Sequence, residues 1–490
     1  MPSSMISIGA KLALLADQQP DALAVTVAER HLTYSQLFRR TNRLARRLQH
    51  AGVKHGDLVT LGLPNSVDFV EVCWAIWKLG ATPQPVSFRL PKAELEPILE
   101  LARPPVVIGD FPFELSVPTL RLSDLVADNE SDEDLPDLTA PILKAPTSGG
   151  STGRPKLILA GTPGEAPIDW KDNFTWRMTP ETIALIPAPL YHNAGFGMMI
   201  AAITTGAHLV LMERFDPEKT LAEIARVRAT WIYLVPTMMN RIWHLDDAAR
   251  LAYDLSCLTI LWHLAAPCPA WLKEAYINWL GPDVILELYA GTESQASTTI
   301  NGREWLEHRG SVGRTSRGEM CAFDEAGQPL PPRQIGEIYM RPPAETPQTY
   351  RYVGATAKSL PGGWESLGDM GWFDEDSYLY LADRGSDMVL VGGSNVYPAE
   401  IEAALEEYPG VLSCAVIGLP DDDLGNHLHA ILQGPDLLED DIRAHLKDRL
   451  VSYKQPRTYE FVAQPLRDDA GKVRRGELRA ERLNPAEAAQ

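Results

Sequence analysis

Alternation between short apolar runs and helical patterns constrains the fold of this chain more than any other feature. Thr33-Tyr34-Ser35-Gln36 reads as a capping box, after which Leu37, Leu44 and Leu48 recur at helical spacing until Gly52. Leu58 to Leu63 then reads as a strand, Ser66 to Leu79 as a helix stopped by Gly80, and Pro91 to Ala102 as a second helix before the apolar Val106-Val107-Ile108. Such alternation predicts an α/β fold built on doubly wound parallel sheets. Ligands of these sheets sit at the carboxyl ends of the strands, where the glycine-rich stretch entered from Ile142-Leu143 and left through Leu157-Ile158-Leu159 is expected. At 490 residues the chain exceeds one core of ordinary size, so at least two domains are expected.

The segment from Ala145 to Leu157 reads A-P-T-S-G-G-S-T-G-R-P-K-L. Gly149, Gly150 and Gly153 let the backbone approach a ligand, Ser148, Ser151 and Thr152 offer hydroxyls, successive N–H groups can wrap phosphate oxygens, and Lys156 adds a point charge. Leu157 after Lys156 excludes the G-x-x-x-x-G-K-[ST] loop, which needs a hydroxyl there to hold Mg²⁺. A formal charge of −20 disfavours nucleic acid and anionic membrane as partners. The five cysteines are scattered without a C-x-x-C, so neither a zinc site nor a disulfide framework is indicated, and a reducing cytoplasm is the expected location. Gly195 to Met212 reads as a buried helix stopped at Gly206 and then a strand, rather than a membrane span.

Taken whole, S-G-G-S-T-G-R-P-K resembles the phosphate loop of the adenylate-forming enzymes: acyl-CoA ligases, nonribosomal adenylation domains and beetle luciferases. Further motifs follow in that family's order. Pro189-Leu190-Tyr191-His192-Asn193-Ala194-Gly195 resembles a P-L-x-H-x-x-G segment whose histidine gates the carboxylate end of the acyl pocket. Phe196, Met199, Thr237 and Met238 are expected to border that pocket, and Ala266 lies in a loop expected at the nucleotide. Leu288-Tyr289-Ala290-Gly291-Thr292-Glu293 resembles the Y-G-x-T-E signature. The resemblance implies that Tyr289 stacks on adenine, Thr292 meets the α-phosphate and Glu293 coordinates Mg²⁺. Asp369 suits the ribose hydroxyls, and Arg384 the ribose or α-phosphate. Gly471-Lys472-Val473-Arg474-Arg475 resembles the G-K-x-x-R tail, which makes Lys472 the catalytic lysine of adenylation; Gly393 is expected to line a pantetheine tunnel, and Arg474 and Arg475 to meet CoA phosphates.

What the resemblance implies is a large N-terminal domain over 1–383 with a small barrel-like subdomain, a hinge at 384–387 pivoting on Ser386, and a mobile α+β cap over 388–490. The implied substrates are ATP, with AMP as product, a small-molecule carboxylic acid and coenzyme A. Assembly as a homodimer is compatible with it. S-G-G-S-T-G-R-P-K-L, P-L-Y-H-N-A-G and A-A-P-C-P resemble the branch acting on bile acids, steroid acids and related apolar acids, which implies a bulky polycyclic or terpenoid substrate. Three positions depart from the pattern: Ala290 replaces a glycine, Ser386 an aspartate or lysine, and Leu466 a proline. Two further readings stand beside the CoA ligase: an adenylation enzyme that loads a carrier protein, and a variant that has lost adenylation and only makes thioesters.

Overall fold

The computed structural model describes all residues except 1–3, 128, 150–154, 173–174, 345, 347, 386, 392–393, 422–423, 469–470 and 484–490, and only the backbone at 149, 172, 383 and 384. The expected local signals operate. Thr33 caps helix Tyr34–His50, its hydroxyl accepting from Gln36 N–H at 3.2 Å while the Gln36 side chain accepts from Thr33 N–H at 2.9 Å. Ser66 caps helix Val67–Lys78 by a single bond, its hydroxyl accepting from Phe69 N–H at 3.1 Å. Helix Asn193–Thr205 ends at Gly206, whose φ of +93° is the left-handed geometry that favours glycine.

The main sheet has 14 strands. Its parallel part runs Leu23–Val27, His208–Leu211, Ile183–Ile186, Trp231–Leu234, Ile260–His263, Ile285–Ala290 in spatial order. A second sheet, centred on Leu58–Gly62, is parallel throughout. The strands of the expected barrel-like part do not stand apart in pairing: Ser297–Asn301 pairs antiparallel with Ile285–Ala290, and the ladder continues through Gly313–Arg317, Tyr378–Arg384, Trp364–Phe373 and Gly336–Arg341. Their side chains do form their own apolar cluster, around Ala322, Ile338, Met340 and Leu379.

The phosphate-loop segment departs from the expected placement. Thr147–Gly149 and Pro155–Ala160 pair antiparallel as a hairpin, and Tyr350–Val353 adds a third antiparallel strand. The loop therefore hangs from a small separate sheet rather than from the end of a parallel strand, and Ile142-Leu143, which precedes it, lies outside any strand. The C-terminal part has its own core of Val389, Val396, Ile401, Leu405, Val416, Leu428, Leu432 and Leu446 among others, formed wholly by residues 389–450. Strands Ser413–Asp421, Gly425–Gln433 and Thr458–Val462 make its sheet, with helices Pro398–Glu406 and Glu439–Lys447 beside it. Helix Arg475–Leu483 returns to this sheet, where Arg479 Nε donates to the Gly418 carbonyl at 2.9 Å. No described helix is long and apolar enough to cross a membrane.

Candidate active site

Parallel strands present their carboxyl ends on one side of a sheet, and four neighbours deliver the sequence motifs there. Pro187–His192 follows Ile183–Ile186, Val235–Thr237 follows Trp231–Leu234, Leu264–Ala266 follows Ile260–His263, and Gly291–Glu293 follows Ile285–Ala290. Ala265 is held at φ +79°, a region sparsely populated by residues with a Cβ. Strain of this kind persists only where surrounding structure fixes it.

Lys156, at the start of strand Pro155–Ala160, reaches the same edge. Its Nζ lies 3.6 Å from Glu293 Oε1 and 3.9 Å from the centroid of the Tyr352 ring. The Tyr352 hydroxyl donates to Glu293 Oε1 at 2.5 Å. Three segments far apart in sequence thus place a cation, an aromatic face and a buried carboxylate in one cluster. Burial, and then the Glu293 carboxylate, push the Tyr352 hydroxyl well above its ordinary pKa, so it remains a donor. Tyr352 belongs to none of the motifs in the sequence; the aromatic alternation Tyr350-Arg351-Tyr352 is the one signal that marks it.

Among the described residues no group of three His, Cys, Asp or Glu could hold a metal alone. The chemistry of Glu293 nevertheless suits Mg²⁺, which keeps several waters and takes substrate phosphates beside one or two carboxylates. Glu293 is only 5% exposed, and among the described residues its hydrogen bond with Tyr352 and its ion pair with Lys156 both fall on Oε1, so Oε2 is the oxygen these two leave for a ligand.

Tyr289 and Asp369, expected on adenine and ribose, are joined directly: the tyrosine hydroxyl donates to Asp369 Oδ2 at 2.7 Å. Asp369 lies opposite Arg384 in the ladder, which fixes the Arg384 backbone beside it. Ala290 is exposed at the end of its strand. The tighter position is the next one, since a Cβ on Gly291 would fall 2.3 Å from Leu367 Cδ1 and 3.0 Å from Glu293 Oε2, so that the Leu367 side chain would have to shift. Thr292 is half-buried beside it. Ser148 pairs with Lys156 across the hairpin, and Gly149 with Pro155. Gly150, Ser151, Thr152, Gly153, Ser386 and Gly393 lie outside the described residues.

His192 is the N-cap residue of helix Asn193–Thr205, half-buried, with its ring 4.5 Å from that of Tyr191. Two expected pocket residues sit elsewhere. Phe196 is 1% exposed and packs on Phe69 and Trp77, and Met199 is 0% exposed. Both point into the core because this helix is apolar nearly all round, and a tunnel wall needs surface facing a void. The accessible positions on its first turns are Asn193, Ala194 and Gly197. Met238 is likewise buried, whereas Thr237 is half-buried.

Lys472 comes from the C-terminal part on a tight turn. Arg467 and Val473 bridge, Gly471 N–H donates to the Asp468 carbonyl at 2.8 Å, and Lys472 N–H donates to Asp468 Oδ1 at 2.9 Å. Gly471, at φ +76°, rests on Thr237 so closely that a Cβ would fall 2.7 Å from the threonine Oγ1. Asn240 Nδ2 donates to the Leu412 carbonyl at 3.3 Å nearby. The turn that carries Lys472 therefore lies over the carboxyl end of strand Trp231–Leu234, and the Lys472 side chain is exposed there. Arg475, expected on CoA phosphates, is instead committed to carboxylates: Nη1 lies 2.7 Å from Asp387 and Nη2 2.9 Å from Glu402. Arg474 faces Glu477 at 3.1 Å and Glu94 at 3.9 Å.

The family described as AMP-binding enzyme matches residues 13–350, and the AMP-binding enzyme C-terminal domain matches 400–472. A feruloyl-CoA synthase from an Amycolatopsis species is 32% identical over 95% of this chain and 96% of its own. The fatty acid–acyl-carrier-protein ligase ScoC of Streptomyces coeruleorubidus is 30% identical over 95% and 94%. Among solved structures, the anthranilate CoA ligase AuaEII in complex with anthranoyl-AMP superposes with a TM-score of 0.82 at 25% identity, covering 99% of both chains.

Proposed function

Since this chain belongs to the AMP-binding enzyme family, we propose that it is an AMP-forming acid–thiol ligase that activates a bulky, largely apolar carboxylic acid and passes it to coenzyme A. The observation that carries this reading is the meeting of Lys156, Glu293 and Tyr352 beside the Tyr289–Asp369 pair, with the Lys472 turn seated on Thr237.

In the first half-reaction a carboxylate oxygen of the acid attacks the α-phosphorus of ATP. An O–P bond forms, the bond from the α-phosphorus to the bridging oxygen breaks, and pyrophosphate leaves. Both reactants are anions, so the site's task is to offset their repulsion in place. Lys156 and the loop before it hold the outer phosphates, Asp369 the ribose, and Tyr289 the adenine, its ring fixed by the hydroxyl's bond to Asp369. Glu293 holds Mg²⁺, which neutralises phosphate charge when bound. Lys472 brings a further positive charge to the carboxylate and α-phosphate. His192 closes the carboxylate end of the acyl pocket. In the second half-reaction residues 388–490 turn about 384–387, the thiol sulfur attacks the adenylate carbonyl, and AMP leaves with the bonding electrons.

A carrier-protein thiol is the second reading of the acceptor, favoured by the identity with ScoC. Thioester formation should be assayed with ATP and Mg²⁺ over steroid, diterpenoid, long-chain and aryl acids, with coenzyme A and a phosphopantetheinylated carrier protein as alternative acceptors. The reading predicts CoA thioesters of a polycyclic or long apolar acid. Turnover confined to small polar acids would overturn the substrate class, and turnover confined to the carrier would overturn the acceptor.

A further inference from the structure

The accessible side of helix Asn193–Thr205 carries a charge that a wholly apolar acyl tunnel would not hold. Lys144 lies just before strand Thr147–Gly149, and its Nζ donates to Asn193 Oδ1 at 2.6 Å. The same nitrogen is 3.8 Å from where a Cβ on Gly197 would sit. The ammonium therefore rests against Asn193 and Gly197, two of the three accessible positions on the first turns of this helix. Two other buried lysines are matched by carboxylates, Lys78 by Asp134 at 2.9 Å and Lys273 by Glu287 at 2.5 Å, while a third, Lys11, donates to the Ile168 carbonyl at 2.6 Å. The Lys144 ammonium makes no ion pair among the described residues; its one hydrogen bond there goes to the neutral Asn193.

An ammonium has three donors, and Asn193 accepts one. Burying a cation without a counter-charge costs stability, and the penalty is visible here as a pKa pushed down to about 8 by burial alone. At neutral pH the group remains mostly charged. A glycine at 197 leaves the space beside the ammonium open, where a side chain would cover it.

We infer that Lys144, with Asn193, forms a polar subsite in the acyl pocket, and that the acid activated here bears, besides its reacting carboxylate, an oxygen acceptor that reaches the Lys144 ammonium. This rests on the reading that helix Asn193–Thr205 borders the acyl pocket, and it refines the bulky apolar acid to one with a single anionic or carbonyl or hydroxyl oxygen on its skeleton. Lys144 acts as a specificity residue; the reacting carboxylate and α-phosphate are met by Lys472, and the outer phosphates by Lys156.

The test uses sets of acids with one skeleton that carry a carboxylate, a hydroxyl or no oxygen at the same distal position. kcat/KM for pyrophosphate release is measured for the full chain, for Lys144→Met, which keeps an unbranched side chain one atom shorter and removes the charge, and for Lys144→Arg, which keeps the charge. The expected result is at least a tenfold preference of the unaltered protein for an oxygenated member. That ratio should collapse in Lys144→Met and be partly kept in Lys144→Arg. Preference for the carboxylate arm identifies an anion, and preference for the hydroxyl arm a neutral acceptor. A ratio near one in the unaltered protein, or the same ratio in Lys144→Met, overturns the subsite. Acyl-sulfamoyl adenosines of the same sets, titrated calorimetrically, read the contact without turnover and should rank the members in the same order. Failure of the adenylation reading would show differently, as no pyrophosphate release with any acid from protein that still binds these analogues.

Discussion

Lys472→Ala should lower acid-dependent adenylation by roughly 10²–10³-fold, the loss typical when one preorganised charge or donor aimed at a transition state is removed. The effect should fall on kcat rather than KM, because the interaction strengthens only as charge builds between carboxylate and α-phosphate. Conversion of a supplied acyl-adenylate to thioester should be largely spared, since the proposed mechanism turns residues 388–490, and Lys472 with them, away in that half-reaction. The structure gives the lysine a defined route to the site: its turn is closed by Asp468 and seated by Gly471 against Thr237. Comparable loss of both half-reactions would remove Lys472 from its assigned role.

The second large effect is expected at Glu402, a residue no sequence motif marks as functional. Glu402 is 4% exposed and accepts from Arg467 at 3.0 Å, from Arg475 at 2.9 Å and from Val416 N–H at 2.8 Å. Burial raises its carboxyl, yet the two guanidiniums and the amide outweigh this and hold it below the usual range. Arg467 and Arg475 stand on either side of Lys472 in the chain, so one carboxylate clamps both ends of the turn that carries Lys472. Arg475 also grips Asp387, inside the expected hinge. Glu402→Gln leaves Arg467 with Glu406 and Arg475 with Asp387 as their remaining carboxylates, and the weakened charge-assisted contacts should cost about 2–3 kcal/mol. In a domain of this size that lowers the transition of the C-terminal part by roughly 10 °C or more. Adenylation should fall with it. The neighbouring Glu400 pairs with Lys454 at 2.6 Å at the surface, and Glu400→Gln should change stability by less than about 1 kcal/mol. Calorimetry of the two variants side by side decides: equal transitions would mean that Glu402 clamps nothing.

Much of the fold is legible in the sequence because its signals are local. The Thr33 box, the Ser66 cap and the stop at Gly206 act within a few residues, and the structure uses each of them. What is not legible depends on distant partners. The strands flanking the phosphate loop, Thr147–Gly149 and Pro155–Ala160, pair with each other and sit in a separate sheet completed by Tyr350–Val353, nearly two hundred residues away, and period-two patterning does not reveal such a partner. The same pairing hides Tyr352. An apolar helix gives no periodic cue to which face meets a void, so Phe196 and Met199 read as pocket residues although they fill the core; Asn193 and Gly197, the polar and the small residue, mark the accessible side instead. Arg475 has the look of a phosphate contact, but an arginine's partners follow from which carboxylates the fold buries, and Glu402 cannot be seen from the tail alone.

The measurement that tests the account most directly is acid-dependent exchange of labelled pyrophosphate into ATP, run with Mg²⁺ and without coenzyme A. The account predicts exchange with a bulky apolar acid, strongly reduced in Lys472→Ala, because the site assembled around Lys156, Glu293 and Asp369 performs the first half-reaction unaided. Absence of exchange with every acid, from protein that nevertheless converts a synthetic acyl-adenylate to its CoA thioester, would contradict it and show that the departures at Ala290, Ser386 and Leu466 belong to an enzyme that no longer makes its own adenylate.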